Sequence, residues 1–325
     1  MILVTGGTGY IGRHLVSALV DRAMPVRVLV RDAARAQVLP RGTQTAAGNL
    51  ADARARDAAV RDVRAVVHLA AATAAAVRDE EALVRTNVHG TGSLAKAARS
   101  AGVEQVVYVS SAGVYGIRDG LEPITERDTP RPDTAYQRSK LAGEDEVKTH
   151  APSWTILRPS DVFGPSRQQT AAFVRSVGER RFWLHTGTIT LENPAYVHDL
   201  VAAILHALEQ PTLRGETINV AGPRVLTHRE VVDATAAALG RRMAHFTLPR
   251  RLTKSGAAVA TGLWSLAGRS LPPRLALMSR SVINRGVSTD KAHGLGIPST
   301  SLEQAMANVV TSMRAGGELH PGTRS

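Results

Sequence analysis

The chain has 325 residues, 40 Lys and Arg against 28 Asp and Glu, and no cysteine. Without cysteine there are no disulfides and no thiolate chemistry. The charge of +12 lies on scattered arginines, with few aromatic residues and no basic patch interleaved by aromatics, which argues against nucleic acid as a partner. The length allows a substantial core, and the composition is that of an ordinary soluble enzyme.

Met1 to Val4 read as a buried strand, followed at once by Gly6-x-x-Gly9-x-x-Gly12. Apolar residues then recur at helical spacing through Leu15, Leu19 and Val20. Strand, glycine turn and helix in this order make a site for a pyrophosphate. Backbone approaches the ligand closely, amides point at it, and the helix N-terminus carries partial positive charge. A strand at residue 1 leaves no room for a secretory signal, and Ala257 to Leu266 is too short to span a bilayer, so a cytoplasmic location is expected.

Val26 to Val30 form the second strand, whose end faces the adenosine ribose in a dinucleotide fold. Val30 cannot accept hydrogen bonds from a 2′-hydroxyl. Arg31 can pair with a 2′-phosphate, whereas Asp32 keeps the opposite preference open. A short strand at Gln44 to Ala47 precedes Asn49 and Leu50, which are expected near the adenine. Val63 to Leu69 is another buried strand, closed by small residues that include Ala70 and Ala71 and that allow a flat ring or pyrophosphate to approach. His68 reads as structural rather than catalytic.

A long helix is predicted from Glu80 to Ala101, then a strand from Gln105 to Val109. Ser110 and Ser111 stand at its carboxyl end, where open α/β sheets put their ligands. Asp133 or Thr134 caps a helix that carries Tyr136 and Lys140 four residues apart, hence on one face. A phenol is a weak base at its ordinary pKa, and a neighbouring ammonium stabilises phenolate. With a serine hydroxyl beside the reacting oxygen, this set suits hydride transfer at a secondary alcohol carbon.

These segments together resemble the extended short-chain dehydrogenase/reductases, the group of nucleotide-sugar epimerases, steroid dehydrogenases and dihydroflavonol-type reductases. Thr5 to Gly12 resembles the cofactor motif and Asn87-Val88-His89-Gly90-Thr91 the central helix motif. Val109 to Gly116 is similar to the serine segment, and Tyr136-Gln137-Arg138-Ser139-Lys140 to the tyrosine–lysine motif. Arg158 to Pro165 resembles the stretch that passes the nicotinamide, and Tyr196 to Leu200 a later turn. The resemblance implies an α/β fold with a Rossmann-type doubly wound parallel sheet and a smaller, interleaved C-terminal substrate domain. The cofactor domain is expected over 1–165, completed by about 192–222, and the substrate domain over 166–191 and 223–315, before a loose tail at 316–325.

By the same resemblance Ser111, Tyr136 and Lys140 are the catalytic residues. The cofactor is expected at Gly6, Thr8, Gly9, Tyr10, Ile11, Gly12, Arg31, Asp32, Asn49 and Leu50. Further cofactor contacts are expected from Leu69, Ala70, Ala71, Asn87, Tyr136, Lys140, Pro159 and Ser160. Thr73, Ser111, Ala112 and Asp161 are expected toward the substrate. Val30-Arg31-Asp32 looks like the NADP-using reductases, so NADP(H) is preferred, with NAD(H) as the alternative. Ala112-Gly113 replaces the Asp-Glu pair of the dehydratases. Asp161 replaces an asparagine common in sugar-nucleotide enzymes and would repel a diphosphate. The expected reaction is interconversion of a secondary alcohol and a ketone or aldehyde. The alternatives are a nucleotide-sugar epimerase and a silent cofactor-binding protein.

Beyond Pro165, helices are predicted at 166–181 and at Val197 to Glu209, with short strands between Phe182 and Leu191. Glu216 to Gly222 is a strand and turn, and Thr227 caps a helix carrying Val231, Val232 and Leu239. Residues 250–283 are apolar and basic together, through Leu263, Trp264, Leu266, Leu271, Leu275 and Leu277. They suit core packing, a hydrophobic substrate, a homodimer contact or a membrane surface, but hold no transmembrane segment. Dispersed histidines give no metal motif, so no metal is expected. Ser111 lacks the glycine elbow of a serine hydrolase.

Overall fold

The computed structural model describes residues 1–73, 79–185, 188–249 and 282–319. Its first half runs β1 (Ile2–Thr5), α1 (Tyr10–Asp21), β2 (Val26–Val30), β3 (Gln44–Ala47), α2 (Ala53–Ala59) and β4 (Ala65–His68). Then come α3 (Glu80–Val84), α4 (Gly90–Ser100), β5 (Gln105–Val109), α5 (Ala135–His150) and β6 (Trp154–Pro159). The second half holds β7 (Val162–Phe163), α6 (Gln168–Glu179), β8 (Phe182–His185), β9 (Ile189–Glu192), β10 (Ala195–Tyr196), α7 (Val197–Glu209) and β11 (Thr217–Val220). It continues with β12 (Leu226–Thr227), α8 (His228–Ala238), β13 (Ala244–Thr247), β14 (Val282–Asn284) and the helices Asp290–Gly294 and Leu302–Ala315.

Seven strands make one parallel sheet in the order β11-β6-β5-β4-β1-β2-β3. The chain winds outward from β1 to β3, then returns to place β4 on the other side of β1. That reversal opens a crevice at the carboxyl ends of β1 and β4, the usual ligand position in such sheets. Successive strand residues serve opposite faces, which explains their nearly continuous apolar runs. Val4, Val67, Val107 and Leu157 pack with Leu15, Leu19, Leu200 and Ile204 from α1 and α7. Leu3, Val66, Val106 and Ile156 pack on the other face with Leu94, Ala98 and Val147 from α4 and α5. A separate cluster joins Phe163, Val174, Leu226 and Val231 to Met306, Val309 and Val310 of the last helix.

The helix predicted over Glu80 to Ala101 is interrupted by a π-type turn at Arg85–His89. The extra residue turns Asn87 inward, where its side-chain oxygen accepts from Ala72 N at 2.8 Å. Its amide donates to Ala72 O and to Ser139 Oγ, each at 2.9 Å. Its side chain thus ties the π-type turn to the segment after β4 and to α5. The predicted helix α7 has the expected bounds, while the one predicted over 166–181 narrows to Gln168–Glu179. The leucines and Trp264 singled out within 250–283, and the last residues of the tail, lie outside the described residues. No described helix is long and apolar enough to cross a membrane.

Candidate active site

The three glycines after β1 do different work. Gly6 has φ +73°, and a Cβ there would stand 2.7 Å from Ala70 N at the end of β4. A Cβ on Gly12 would overlap the Gly6 carbonyl oxygen, so Gly12 lets α1 pack against its own turn. Only at Gly9 does the missing side chain open onto free space, with Gly6 O the sole near atom at 3.1 Å. Room for a ligand therefore comes from Gly9; the room expected at Gly12 is taken by the turn.

The first turn of α1 has no side-chain cap, whereas Asp52, Thr134, Thr227 and Ser301 cap other helices. Leading amides of α1, beginning with Tyr10, Ile11 and Gly12, are left for an external acceptor. The Tyr10 hydroxyl, against the Gly164 backbone, is buried with no hydrogen-bond partner among the described residues. Burial pushes its pKa up, and the Arg167 guanidinium lies 5.4 Å from its ring centre. An uncapped helix end and the open face of Gly9, with Thr8 half-buried alongside, fit a dinucleotide pyrophosphate.

At the end of β2 the Arg31 side chain is exposed and has no partner among the described residues. Asp32 is turned away, because its Oδ1 accepts from Ala34 N at 2.9 Å and caps the turn. Asn49 likewise uses its side-chain oxygen to hold Ala51 N and Asp52 N, and Leu50 is buried in the core beside Gly90. Leu69, Ala70 and Ala71 line the end of β4, half-buried against Gly6. Behind them His68 is held between Thr5 Oγ1 at 2.6 Å and Thr91 Oγ1 at 2.9 Å. Burial, with Lys140 adding to it, pushes the imidazole pKa down to about 3, so this histidine is neutral and structural.

Across the crevice lies a cavity of about 730 Å³ lined by Ser111, Ala112, Tyr136, Ser160 and Asp161. Its far wall holds Glu192, Asn193 and Arg285. Thr73 is exposed beyond β4 and is not among the lining residues. Ser110 and Ser111 diverge as neighbours on an extended chain must. Ser111 faces the cavity, and Ser110 is buried, donating to Glu144 Oε1 at 2.6 Å. Helix α5 starts from a capping box between Thr134 and Gln137, which sets Tyr136 at its first turn on the cavity wall. Asp133, the other predicted cap, instead accepts from Ile117 N at 2.7 Å.

Lys140, one turn deeper, is 2% exposed and donates from Nζ to Val109 O at 2.8 Å. Its Nζ lies 4.1 Å from the Tyr108 ring centre. Burial pushes its pKa down to about 7, opposed by Glu144. The expected lowering of the Tyr136 pKa by Lys140 is not seen. Burial raises the phenol, and the Asp161 carboxylate raises it further. Lys140 donates to the Val109 carbonyl, whereas Asp161 shares the cavity with the phenol.

Pro159 closes β6 and Ser160 is held by the Asn193 carbonyl. Beneath these residues runs a polar chain that the sequence reading missed. Arg158 grips Glu144 and donates to Tyr115 OH at 2.8 Å, which donates to Asn219 Oδ1 at 3.0 Å. Glu144 had a local signal, because Tyr136, Lys140 and Glu144 recur every four residues and share one helix face. Glu192 and Arg285 had none, since they reach the cavity from distant segments. Among the described residues no group of three His, Cys, Asp or Glu is placed to hold a metal.

The family model described as NAD dependent epimerase/dehydratase matches residues 2–221. The NAD(P)H azoreductase of Xenophilus azovorans is 30% identical over 85% of this chain and 84% of its own. Sterol demethylase protein B of Methylococcus capsulatus is 29% identical, covering 97% of this chain and 98% of its own. Among solved structures, the Thermus thermophilus UDP-glucose 4-epimerase complex with NAD superposes with a TM-score of 0.72. It is 26% identical and covers 96% of this chain and 98% of that one.

Proposed function

The chain belongs to the NAD-dependent epimerase/dehydratase family, and from that premise we propose that it interconverts a secondary alcohol and a ketone with NADP(H). The observation that carries this reading is that Ser111, Tyr136 and Asp161 line one cavity, with Lys140 buried one turn below Tyr136. When bound, the nicotinamide supplies or accepts the hydride. Ser111 Oγ hydrogen-bonds the substrate oxygen and orients it toward the phenol. In reduction Tyr136 donates its proton to the developing alkoxide; in oxidation it takes the proton back. Lys140 holds the nicotinamide ribose at the base of the site. The uncapped amides of α1 and Gly9 hold the pyrophosphate, and Arg31 meets the 2′-phosphate.

A nucleotide-sugar epimerase is the second reading, favoured by the structural likeness to an NAD-bound UDP-glucose 4-epimerase. Among the described residues three carboxylates line the cavity, Asp133, Asp161 and Glu192, against the single cation of Arg285, and this excess weighs against a diphosphate substrate. The substrate is therefore taken as an uncharged ketone or alcohol. The test is a panel of ketones with NADPH, following cofactor absorbance, beside UDP-sugars assayed for epimerisation. Net NADPH consumption with a ketone supports the first reading. Epimerisation without net turnover replaces it with the second.

A further inference from the structure

Strands β8 and β13 form a two-stranded parallel ribbon, with no third strand among the described residues. Leu184 pairs with Phe246, so both side chains leave the same face. On that face Phe182 is 51% exposed, Leu184 51%, Phe246 58% and Leu248 36%. The rings of Phe182 and Phe246 meet edge to face, 5.4 Å apart. The opposite face carries the polar groups yet packs inward. His185 and His245 hydrogen-bond at 2.7 Å, His245 reaches Asp233 at 2.7 Å, and Trp183 meets Phe173. This reverses the usual order of a surface ribbon, apolar in and polar out.

The surroundings are cationic. Arg180 and Arg181 are exposed just before β8, and Arg242 just before β13. Because the strands are parallel, Arg181 and Arg242 gather at one end of the ribbon, while Arg180 lies over the Trp183 ring of the inward face. Glu179 directly precedes Arg180 and Arg181, and no Asp or Glu follows from Arg180 to Leu191 or from Arg241 to Pro249. The described carboxylate closest in the contacts, Asp233, serves His245 on the inward face. Aromatic and aliphatic side chains facing water beside an arginine rim match the chemistry of an interfacial anchor: apolar groups enter the acyl boundary and cations meet phosphate.

We infer that the outer face of the β8–β13 ribbon, through Phe182, Leu184, Phe246 and Leu248, docks on an anionic lipid bilayer. A second copy of the chain would cover the same apolar side chains but brings no carboxylate on this face to meet the arginine rim. This inference stands apart from the catalytic reading, since none of these residues lines the cavity.

The test is flotation of the full chain with phosphatidylcholine vesicles and with vesicles containing about 30% phosphatidylglycerol, at about 0.1 M salt. The chain is expected to float at least about tenfold more with the anionic vesicles, and to be released as salt rises. Leu184→Ser/Phe246→Ser should lose most of that flotation while keeping its melting temperature and cofactor titration. Arg181→Glu/Arg242→Glu, which leaves the apolar face intact, should lose the preference for anionic lipid. Absence of flotation overturns the inference, and so does flotation of the Leu184→Ser/Phe246→Ser variant at the level of the parent. A concentration-dependent dimer in sedimentation that this variant abolishes, without vesicle binding, gives the face to a second copy instead.

Discussion

Glu144 and Arg158 meet in a two-point ion pair, with Nε to Oε1 at 2.9 Å and Nη2 to Oε2 at 2.6 Å, both side chains almost wholly out of water. Glu144 lies on the same face of α5 as Tyr136 and Lys140, and Arg158 lies on β6. The pair thus clamps the helix that carries both candidate catalytic side chains onto the sheet that ends in Ser111 and Ser160. Glu144→Leu should leave the guanidinium buried and unpaired, costing about 3–5 kcal/mol. Replacing both, as Glu144→Leu/Arg158→Met, should recover much of that loss. Denaturant unfolding of the three proteins checks this, and a double variant as unstable as the single would refute it.

Tyr136→Phe should lower turnover by about 10²–10⁴-fold, the usual worth of a placed proton donor, with cofactor binding largely spared. Lys140→Met should impair both. Steady-state rates and a fluorescence titration with NADPH separate the two effects. Turnover near that of the parent in Tyr136→Phe removes this residue from the mechanism.

Gly9 and Gly12 should fail in different ways. Gly9→Val points a side chain at the pyrophosphate and should abolish nucleotide binding while the melting temperature holds. Gly12→Ala pushes a methyl group into the Gly6 carbonyl, and should lower the melting temperature as well. Equal melting temperatures for both variants would contradict this division.

Arg31→Ala should shift the ratio of kcat/KM for NADPH and NADH toward NADH. A charge-assisted hydrogen bond is worth about 1.5–3 kcal/mol, roughly 10- to 150-fold. Asp32, held in its cap, should not compensate. An unchanged ratio, or a parent enzyme that prefers NADH, excludes the assignment.

His68 should make the fold acid-sensitive. Its pKa is near 6.5 in the unfolded chain and about 3 when buried. Between those values the unfolded chain binds a proton that the folded chain refuses. Stability from this group is thus full above about pH 6.5 and falls as pH drops toward 3, by up to about 1.4 kcal/mol per pH unit. Unfolding free energies from pH 7 to 4.5 should fall more steeply for the parent than for His68→Asn. Identical slopes would show that other groups carry the acid response.

Local chemistry by itself determined much of this protein. The glycine turn after an apolar strand, the capping box at Thr134 and the four-residue spacing of Tyr136 and Lys140 are short-range signals. They made the parallel sheet and the candidate site legible, because backbone freedom, capping and helical period act within a few residues. Tertiary structure alone decided what those side chains experience. Lys140 donates to Val109 O rather than serving the phenol, Asp161 faces Tyr136, and Asn87 turns inward through a π-type turn. Arg285 and Glu192 join the same cavity from segments far apart in the chain. Desolvation and charge–charge interaction depend on which groups the packed sheet and helices bring within a few ångströms, and no local pattern encodes that distance.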